Sequence, residues 1–344
     1  MLFPIIFHKA FVYSLAVISL LANSTLLLLL RHVTSKPLGN YKVLLFAFAV
    51  TDIFISLFHA WYIPIFVLGD FGYAFFGYET MYKDGPISSD ADLIYAVVFF
   101  VPFCLLSLHF IYRYCSLVKP ALTAARFHIF AVFCALYIII YTLSVHWITS
   151  IGTIKGIAER QRGLVAEYEG RAGGRELNVR SLNYLEDDGQ RINKIQVVKL
   201  FTASSIGGHT VIISLLCIYK ISRTFDKIVL EISVRRLHVH LFRALIIQFV
   251  IPVIFSLIPM TLIFGLPATG IYLGQWGNVF GLLSSVFPAL DPILIILTIG
   301  RFRSTLLRWV DIMMGTTARR NEKRAEAQSK SHFSMMINRS TRSL

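Results

Sequence analysis

The chain contains, at residues 11–30, the stretch FVYSLAVISLLANSTLLLLL, which has no charged side chain. A helix rises about 1.5 Å per residue and the hydrocarbon core of a bilayer is about 30 Å thick, so about twenty apolar residues cross it. Comparable stretches follow at residues 43–68, 93–117, 127–151, 197–219, 244–264 and 276–299. The sequence therefore predicts an all-α membrane protein, a seven-transmembrane helix bundle.

The charges of the loops orient this bundle. The loops after the first, third and fifth spans are rich in Lys and Arg, whereas the loop after the sixth span has neither. Because basic residues in short loops stay on the cytoplasmic side, we expect the N-terminus outside and the C-terminus in the cytoplasm, in a multi-pass protein of the plasma membrane. The loop at residues 152–195 opposes this orientation with eight basic residues, but it also holds seven acids. Long loops follow the charge rule less closely.

The overall composition agrees with a membrane protein. Hydrophobic residues make up 56% of the chain and the mean hydropathy is +0.67, unlike a soluble domain. The net charge of +14 comes from loops and a tail between apolar spans, so we expect no binding to nucleic acid. We divide the chain into a seven-transmembrane domain at residues 1–299 with a long outer loop at 152–195, an amphipathic membrane-surface helix at 300–314, and a disordered cytoplasmic tail at 315–344.

Four spans carry a polar side chain at a similar depth: Asn23, Asp52, Ser107 and Asp291. Counted from the cytoplasmic ends of their spans, Asp52 lies roughly 14 Å deep and Asp291 roughly 12 Å. Ionisable groups inside a span are costly and usually functional. The group is either a static network that holds helices together or a rearranging core, hydrated or ion-binding, that couples the two halves. Pro292 and the other prolines of spans six and seven favour kinks, either fixed or acting as hinges.

Catalytic patterns are missing from the sequence. It has no His-Glu-x-x-His zinc motif and no Gly-x-Ser-x-Gly nucleophile elbow. An aspartyl dyad of Asp52 and Asp291 is less plausible than a structural pairing, because neither residue lies in a Gly-Asp context. We therefore expect no enzyme activity, no cofactor and no metal site. All four cysteines fall inside predicted spans, so no extracellular disulfide framework is expected.

Four short motifs lie at or near the cytoplasmic ends of the second, third, sixth and seventh predicted spans. They are HFIYRY at residues 109–114, PALDP at 288–292 followed by RFR at 301–303, GNYK at 39–42, and LFRALIIQ at 241–248 leading to Pro252. Together they resemble the nematode Str-type seven-transmembrane chemoreceptors, a serpentine family of G-protein-coupled receptors. The resemblance covers nearly the whole chain except the loop at residues 152–195.

The resemblance implies a chemosensory receptor in sensory-neuron cilia that detects a small, odorant-like molecule and activates a heterotrimeric G protein. Tyr112, Arg113 and Tyr114 would take the place of the G-protein-facing motif, and Asp291 with Pro292 that of the switch motif in span seven. No acid precedes Arg113, so an inactive-state lock to an adjacent carboxylate is not expected. The basic run that includes Arg235 and Arg236 would face the G protein, or equally the anionic lipid headgroups.

The segment before the first span is too short to form a binding domain, so a ligand pocket must lie among the outer halves of the helices or under the loops. The aromatic and histidine side chains that could line it are Trp61, Tyr62, Tyr95, Phe99, Trp147, His209 and Trp276. Membrane anchoring or packing is the alternative role for such residues. A ligand-gated ion channel or a transporter is the main alternative function. An intramembrane enzyme is a weaker one, and the oligomeric state stays open.

Overall fold

The computed structural model of the protein describes residues 5–33, 40–80, 88–150, 154–155, 165–166, 179–186, 188–227 and 232–315. At a few positions near helix ends, Arg236 among them, only the backbone is described. Most of the predicted loop at 152–195 and the predicted tail beyond residue 315 lie outside these ranges.

Seven helical spans within the described residues are long and apolar enough to cross a membrane, which confirms the predicted bundle. Such segments form helices because a helix satisfies its own backbone groups where no water is available. The first five spans are Ile5–His32, Tyr41–Tyr62, Ser88–Val118, Phe127–Ser150 and Lys194–Lys227. The sixth joins Ile232–Pro252 to Ile258–Ala268 through a π-helix at Val253–Leu257, and the seventh joins Gly277–Ser284 to Phe287–Thr298.

The second span is shorter than the sequence predicted. Its helix ends at Tyr62 instead of residue 68, and Ile63 takes a left-handed backbone conformation with a φ of 48°. Pro64 has no N–H to continue the helix, and its ring disfavours helical geometry at the residue before it. Residues Pro64–Gly69 therefore form a strand, β1.

A small antiparallel sheet stands at one end of the bundle, an element that the all-α prediction missed. Strand β1 pairs with β2 (Gly72–Gly77), β2 with β4 (Arg180–Asn183), and β4 with β3 (Ile154–Lys155). Both faces of β1 are buried. The sheet therefore packs into the bundle, and we refer to this side as the sheet end and to the other as the Arg113 end.

Close packing of β1 against the start of the seventh span requires glycine at two positions. A Cβ atom at Gly277 would lie 2.7 Å from Leu68 Cγ and 2.8 Å from the Phe66 carbonyl oxygen, and one at Gly281 would lie 3.0 Å from Phe66 Cδ2. The Phe66 N–H also donates to Asn278 Oδ1 at 2.9 Å. The one-turn spacing of the glycines thus creates a flat helix face on which the strand lies.

The third span is the central helix. Of the residues in its most apolar stretch, 67% are buried, against 11% in the fourth span and 22% in the fifth. The outer faces of the fourth and fifth spans are therefore left for lipid. After the seventh span, the helix Gly300–Met313 packs on the bundle through Phe302, which is fully buried. The Trp309 ring of this helix meets the His32 ring edge-on, with centroids 5.4 Å apart.

Candidate functional site

The polar residues of the first, second and seventh spans form one hydrogen-bonded group. The Asn23 amide donates to the Pro288 carbonyl oxygen at 3.0 Å, and the Ser19 hydroxyl donates to the same oxygen at 2.9 Å. The Ser56 hydroxyl donates to Ser19 Oγ at 2.7 Å. Pro292 lies four residues after Pro288 and has no N–H to donate to the Pro288 carbonyl oxygen. This oxygen accepts hydrogen bonds from the first span instead.

Asp52 and Asp291 both lie fully buried, and the charge of Asp291 acts on the Asp52 carboxyl. The Gln248 amide of the sixth span donates to Asp291 Oδ2 at 3.3 Å. Neither oxygen of Asp52 receives a hydrogen bond from the described part of the chain. Ser107 differs, because its hydroxyl donates to the Phe103 carbonyl oxygen within the third span at 3.2 Å. Asn23 and Asp291 are therefore hydrogen-bonded to other spans, whereas among the described residues Asp52 is linked to Asp291 by charge alone. The Ser107 hydroxyl donates within its own helix.

Asp52, Ser56 and His59 lie on one face of the second span, at the spacing i, i+4, i+7, and all three are buried. We call these three residues the polar column. His59 Nδ1 lies 3.0 Å from the Ile55 carbonyl oxygen, which can only accept, so this nitrogen carries the proton. His59 Nε2 therefore accepts the Tyr95 hydroxyl proton, at 3.0 Å. The column connects the carboxyl pair to the sheet end.

At the opposite end, Arg113 is buried and held by the sixth span. Its Nη2 donates to His238 Nδ1 at 2.9 Å and to the His238 carbonyl oxygen at 3.2 Å. The guanidinium also lies 5.6 Å from the centre of the Tyr41 ring, on which Tyr112 stacks. Because arginine only donates, His238 Nδ1 must be the unprotonated nitrogen of that ring. The described hydrogen-bond partner of the Arg113 side chain is thus a histidine of the sixth span and not an adjacent carboxylate.

The other predicted residues of this end differ in their surroundings. Tyr114 is half-buried, with the Lys220 ammonium 5.5 Å from its ring centre. Arg235 is exposed on the sixth span. Arg236 lies in the same helix, but its side chain is outside the described part of the structure.

A cavity with a volume of about 100 Å³ opens under the sheet. We call it the sheet-end cavity. Its wall combines the third, fifth and sixth spans with strands β1, β2 and β4 and is mainly aromatic and aliphatic. The residues that line it include Phe66, Tyr73, Phe75, Tyr95, Phe99, Phe100, Leu182, Tyr184, Leu200, Met260 and Phe264. Pockets for small molecules are typically concave and apolar in this way.

Two of the seven predicted ligand residues, Tyr95 and Phe99, line this cavity. Tyr62 stands directly behind it, stacked on the Tyr95 ring with centroids 4.5 Å apart. His209 is half-buried and bonds the Tyr137 hydroxyl away from the cavity. The three tryptophans among the predicted ligand residues are exposed on the surface of the bundle; they are Trp61, Trp147 and Trp276. Their amphipathic rings suit anchoring at a membrane interface.

The cavity also has charged residues that sequence reasoning missed. The Tyr62 hydroxyl donates to Asp92 Oδ1 at 2.5 Å, and Arg180 Nε lies 3.3 Å from Asp92 Oδ2. Lys199 of the fifth span is buried at the same wall. These residues come from two spans and a loop strand, so no local pattern joins them. The one available signal was that Asp92 and Lys199 are ionisable residues near the ends of apolar stretches.

The sheet is fastened over the cavity by polar contacts. The Tyr184 hydroxyl donates to the Phe264 carbonyl oxygen of the sixth span at 2.8 Å. Tyr73 lies beside Tyr184, and burial raises the pKa of both phenols, so both keep their protons near neutral pH. Strand β1 adds the hydrogen bond from the Leu68 N–H to the Gly274 carbonyl oxygen at 2.9 Å. Loops from three connections thus form a cap that is part of the cavity wall.

Comparison with known proteins agrees with this architecture. The family described as "Serpentine type 7TM GPCR chemoreceptor Str" matches residues 8–307. The chain is 26% identical over 308 residues to "Serpentine receptor class r-10" of Caenorhabditis briggsae, which covers 83% of this chain and 85% of that protein. It is 27% identical over 284 residues to "Serpentine receptor class J-38" of Caenorhabditis elegans, covering 78% and 83%. The chain therefore belongs to the Str family of serpentine seven-transmembrane chemoreceptors.

Proposed function

We propose that this receptor detects a small, odorant-like molecule in the sheet-end cavity and activates a heterotrimeric G protein at the Arg113 end. The observation that carries the proposal is the pairing of an aromatic cavity at one end with a buried arginine at the other. The polar column runs from the sheet end to the carboxyl pair that lies between them. In this orientation the N-terminus and the sheet face outward, as the charges of the short loops suggest.

Ligand recognition rests on the wall formed by Tyr95 and Phe99 of the third span and by the strands of the cap. A small molecule that displaces water from this apolar wall gains free energy roughly in proportion to the apolar area it buries. Tyr95 is the residue through which binding would reach the helices, because its hydroxyl bonds His59. Any displacement of the Tyr95 ring changes that hydrogen bond.

The polar column and the interrupted helices of the sixth and seventh spans would couple the cavity to the Arg113 end. The sixth span carries a π-helix after Pro252, and the seventh changes helix between Ser284 and Phe287. Such interruptions leave backbone groups that can exchange partners, so these spans are suited to move. Gln248 and Asp291 join the two spans directly. A ligand shifts this equilibrium only to the extent that it contacts the active arrangement better.

At the Arg113 end, the contact with His238 holds the sixth span against the third. Movement of the sixth span would break this contact and expose Arg113 to a partner. Arg235, together with Arg236 of the same helix, supplies positive charge beside this site for a G protein or for lipid headgroups. We also propose location in the cilia of sensory neurons, which the family membership supports.

The test is a reporter assay in cells that express the full chain with a promiscuous G protein. We expect a reproducible response to a compound from a panel of volatile and water-soluble molecules, lost in Arg113→Ala with surface expression unchanged. Phe99→Ala should raise the effective concentration, because it removes part of the cavity wall. Epitope tags at both ends, read in intact cells, should place the N-terminus outside.

Two outcomes would contradict this function. An N-terminus in the cytoplasm would reverse the assignment of the two ends. A ligand-evoked current that persists when G proteins are inhibited would favour the alternative, a ligand-gated channel.

A further inference from the structure

Aromatic rings in mutual contact form a continuous part of the wall of the sheet-end cavity. Phe66 stacks on Phe75 with ring centroids 4.9 Å apart, and the Phe75 centroid lies 5.6 Å from that of Tyr95. The series continues from Tyr95 through Phe99 to Phe100, at centroid separations of 6.0 Å and 5.6 Å. All of these residues line the cavity. Because aromatic rings attract one another at such separations, a further ring placed in the cavity would extend an existing cluster.

The charged side chains of the wall are engaged within the protein. Asp92 accepts a hydrogen bond from the Tyr62 hydroxyl and forms an ion pair with Arg180. Arg180 and Lys199 also have further interactions with the chain. An ionic ligand would have to displace these contacts or enter the apolar part of the wall, where an isolated charge is costly. The cavity therefore favours a neutral molecule.

The volume of the cavity limits the size of this molecule. The sheet-end cavity has a volume of about 100 Å³. An engineered apolar cavity of about 150 Å³ in another protein binds benzene. The sheet-end cavity is thus comparable in size to one six-membered ring, and two fused rings would force its wall apart.

We propose that the ligand is a neutral molecule with a single aromatic ring, and that this ring packs against Phe99 and Phe100 in the sheet-end cavity. This inference rests on the proposed function in that it takes the sheet-end cavity as the ligand site. A saturated ring of similar size would gain free energy from the burial of its apolar area. It would lack the additional attraction between aromatic rings.

The test uses the purified full chain in lipid nanodiscs near neutral pH, and binding is read as the rise in melting temperature with the free concentration of each probe. Toluene is compared with methylcyclohexane, and nitrobenzene with benzoate, which has a similar shape and one negative charge. We expect toluene to bind about threefold or more tightly than methylcyclohexane. Nitrobenzene should bind about 10-fold or more tightly than benzoate. Naphthalene should bind more weakly than toluene, although it is the more apolar molecule, because the cavity holds one ring.

Substitutions then distinguish binding in the cavity from solution of the probe in the lipid. Ala203→Leu, at a lining residue of the fifth span, should abolish the toluene effect because the larger side chain occupies the cavity. A cooperative melting transition without probe shows that this variant is folded. Ala135→Leu is the matched control, at an exposed alanine of the fourth span, and should leave the toluene effect unchanged. Met260→Ala enlarges the cavity and should reverse the order, so that naphthalene binds more tightly than toluene.

The inference is overturned if toluene does not bind, if methylcyclohexane matches toluene, or if benzoate matches nitrobenzene. Equal toluene effects in Ala203→Leu and Ala135→Leu, or an unchanged order of toluene and naphthalene in Met260→Ala, would also overturn it. Cells that respond only to charged or larger compounds, with sensitivity to Phe99→Ala, would overturn the single ring while leaving the proposed function standing. Binding of toluene in nanodiscs without a response to any compound in reporter cells would support the ring site and count against the function.

Discussion

The contact between Arg113 and His238 is the residue-scale feature with the clearest consequence. The buried guanidinium donates to the His238 ring nitrogen at 2.9 Å and joins spans three and six. Hydrogen bonds to charged groups contribute about 1.5–3 kcal/mol, so losing this one shifts a two-state equilibrium by about 10-fold or more. The sequence argued against an adjacent carboxylate as the partner of Arg113 but could not identify the histidine, because 125 positions separate the two residues.

We predict that His238→Ala raises ligand-independent signalling, because it removes the side-chain acceptor that holds Arg113. The measurement is basal reporter activity normalised to surface expression. His240→Ala is the matched control, since His240 is exposed on the same helix. Basal activity that stays unchanged in His238→Ala would count against an inhibitory role for the contact.

The packing of β1 on the seventh span belongs to the scale of elements. We predict that Gly277→Ala lowers the free energy of unfolding by about 1–3 kcal/mol, because its Cβ would overlap the Phe66 carbonyl and force the strand away. Gly208→Ala is the control, since a Cβ there has no neighbour within 4 Å. The measurement is the melting temperature of the detergent-solubilised chain. Equal melting temperatures for the two variants would contradict the close packing.

The Tyr184 hydroxyl fastens the cap to the sixth span. Removing this hydroxyl should therefore loosen the cap over the cavity. We predict that Tyr184→Phe speeds ligand dissociation by about threefold to tenfold, since a neutral hydrogen bond contributes about 0.5–1.5 kcal/mol. The measurement is the dissociation rate of whichever ligand the panel identifies. Tyr272→Phe should have no effect, because Tyr272 is exposed. A rate unchanged in Tyr184→Phe would mean that the cap does not retain the ligand.

Sequence predicted the helices well for a local reason. Twenty apolar residues in a row determine a span without regard to the remainder of the chain. The end of the second span was wrong because an apolar run such as residues 64–69 suits a buried strand as well as a helix. Pro64, Gly69, Gly72 and Gly77 bound the two strands and were the available signal. Tyr95 and Phe99 of the cavity wall were predicted, but its charged residues could not be, because Arg180 and Asp92 meet only through long-range folding.

At the scale of the whole molecule, the carboxyl pair Asp52 and Asp291 lies between the cavity and the Arg113 end. We predict that Asp291→Asn leaves ligand affinity within about threefold while signalling falls strongly. The reason is that the pair lies on the path between the ends and outside the cavity wall. The two measurements are ligand affinity in nanodiscs and the maximal response in reporter cells.

The same experiment separates the two interpretations of the polar core. A static network predicts that Asp291→Asn lowers the melting temperature, and that affinity and signalling fall together. A rearranging core predicts loss of signalling at an unchanged melting temperature. Ser107→Ala is the comparison variant, because its hydroxyl donates to the backbone of its own helix and not to the carboxyl pair.

Strand β4 is four residues long, and it supplies Arg180 and Leu182 to the cavity, with Tyr184 immediately after it. Its backbone pairs with strands β2 and β3, and it meets the helices through the ion pair between Arg180 and Asp92 and through the nearby Tyr184 hydroxyl. Substitutions here can alter chemical selectivity without disturbing the membrane spans or the Arg113 end. Descendants of one ancestral gene could therefore acquire new stimuli by changes within a handful of codons, while inheriting their signalling apparatus intact.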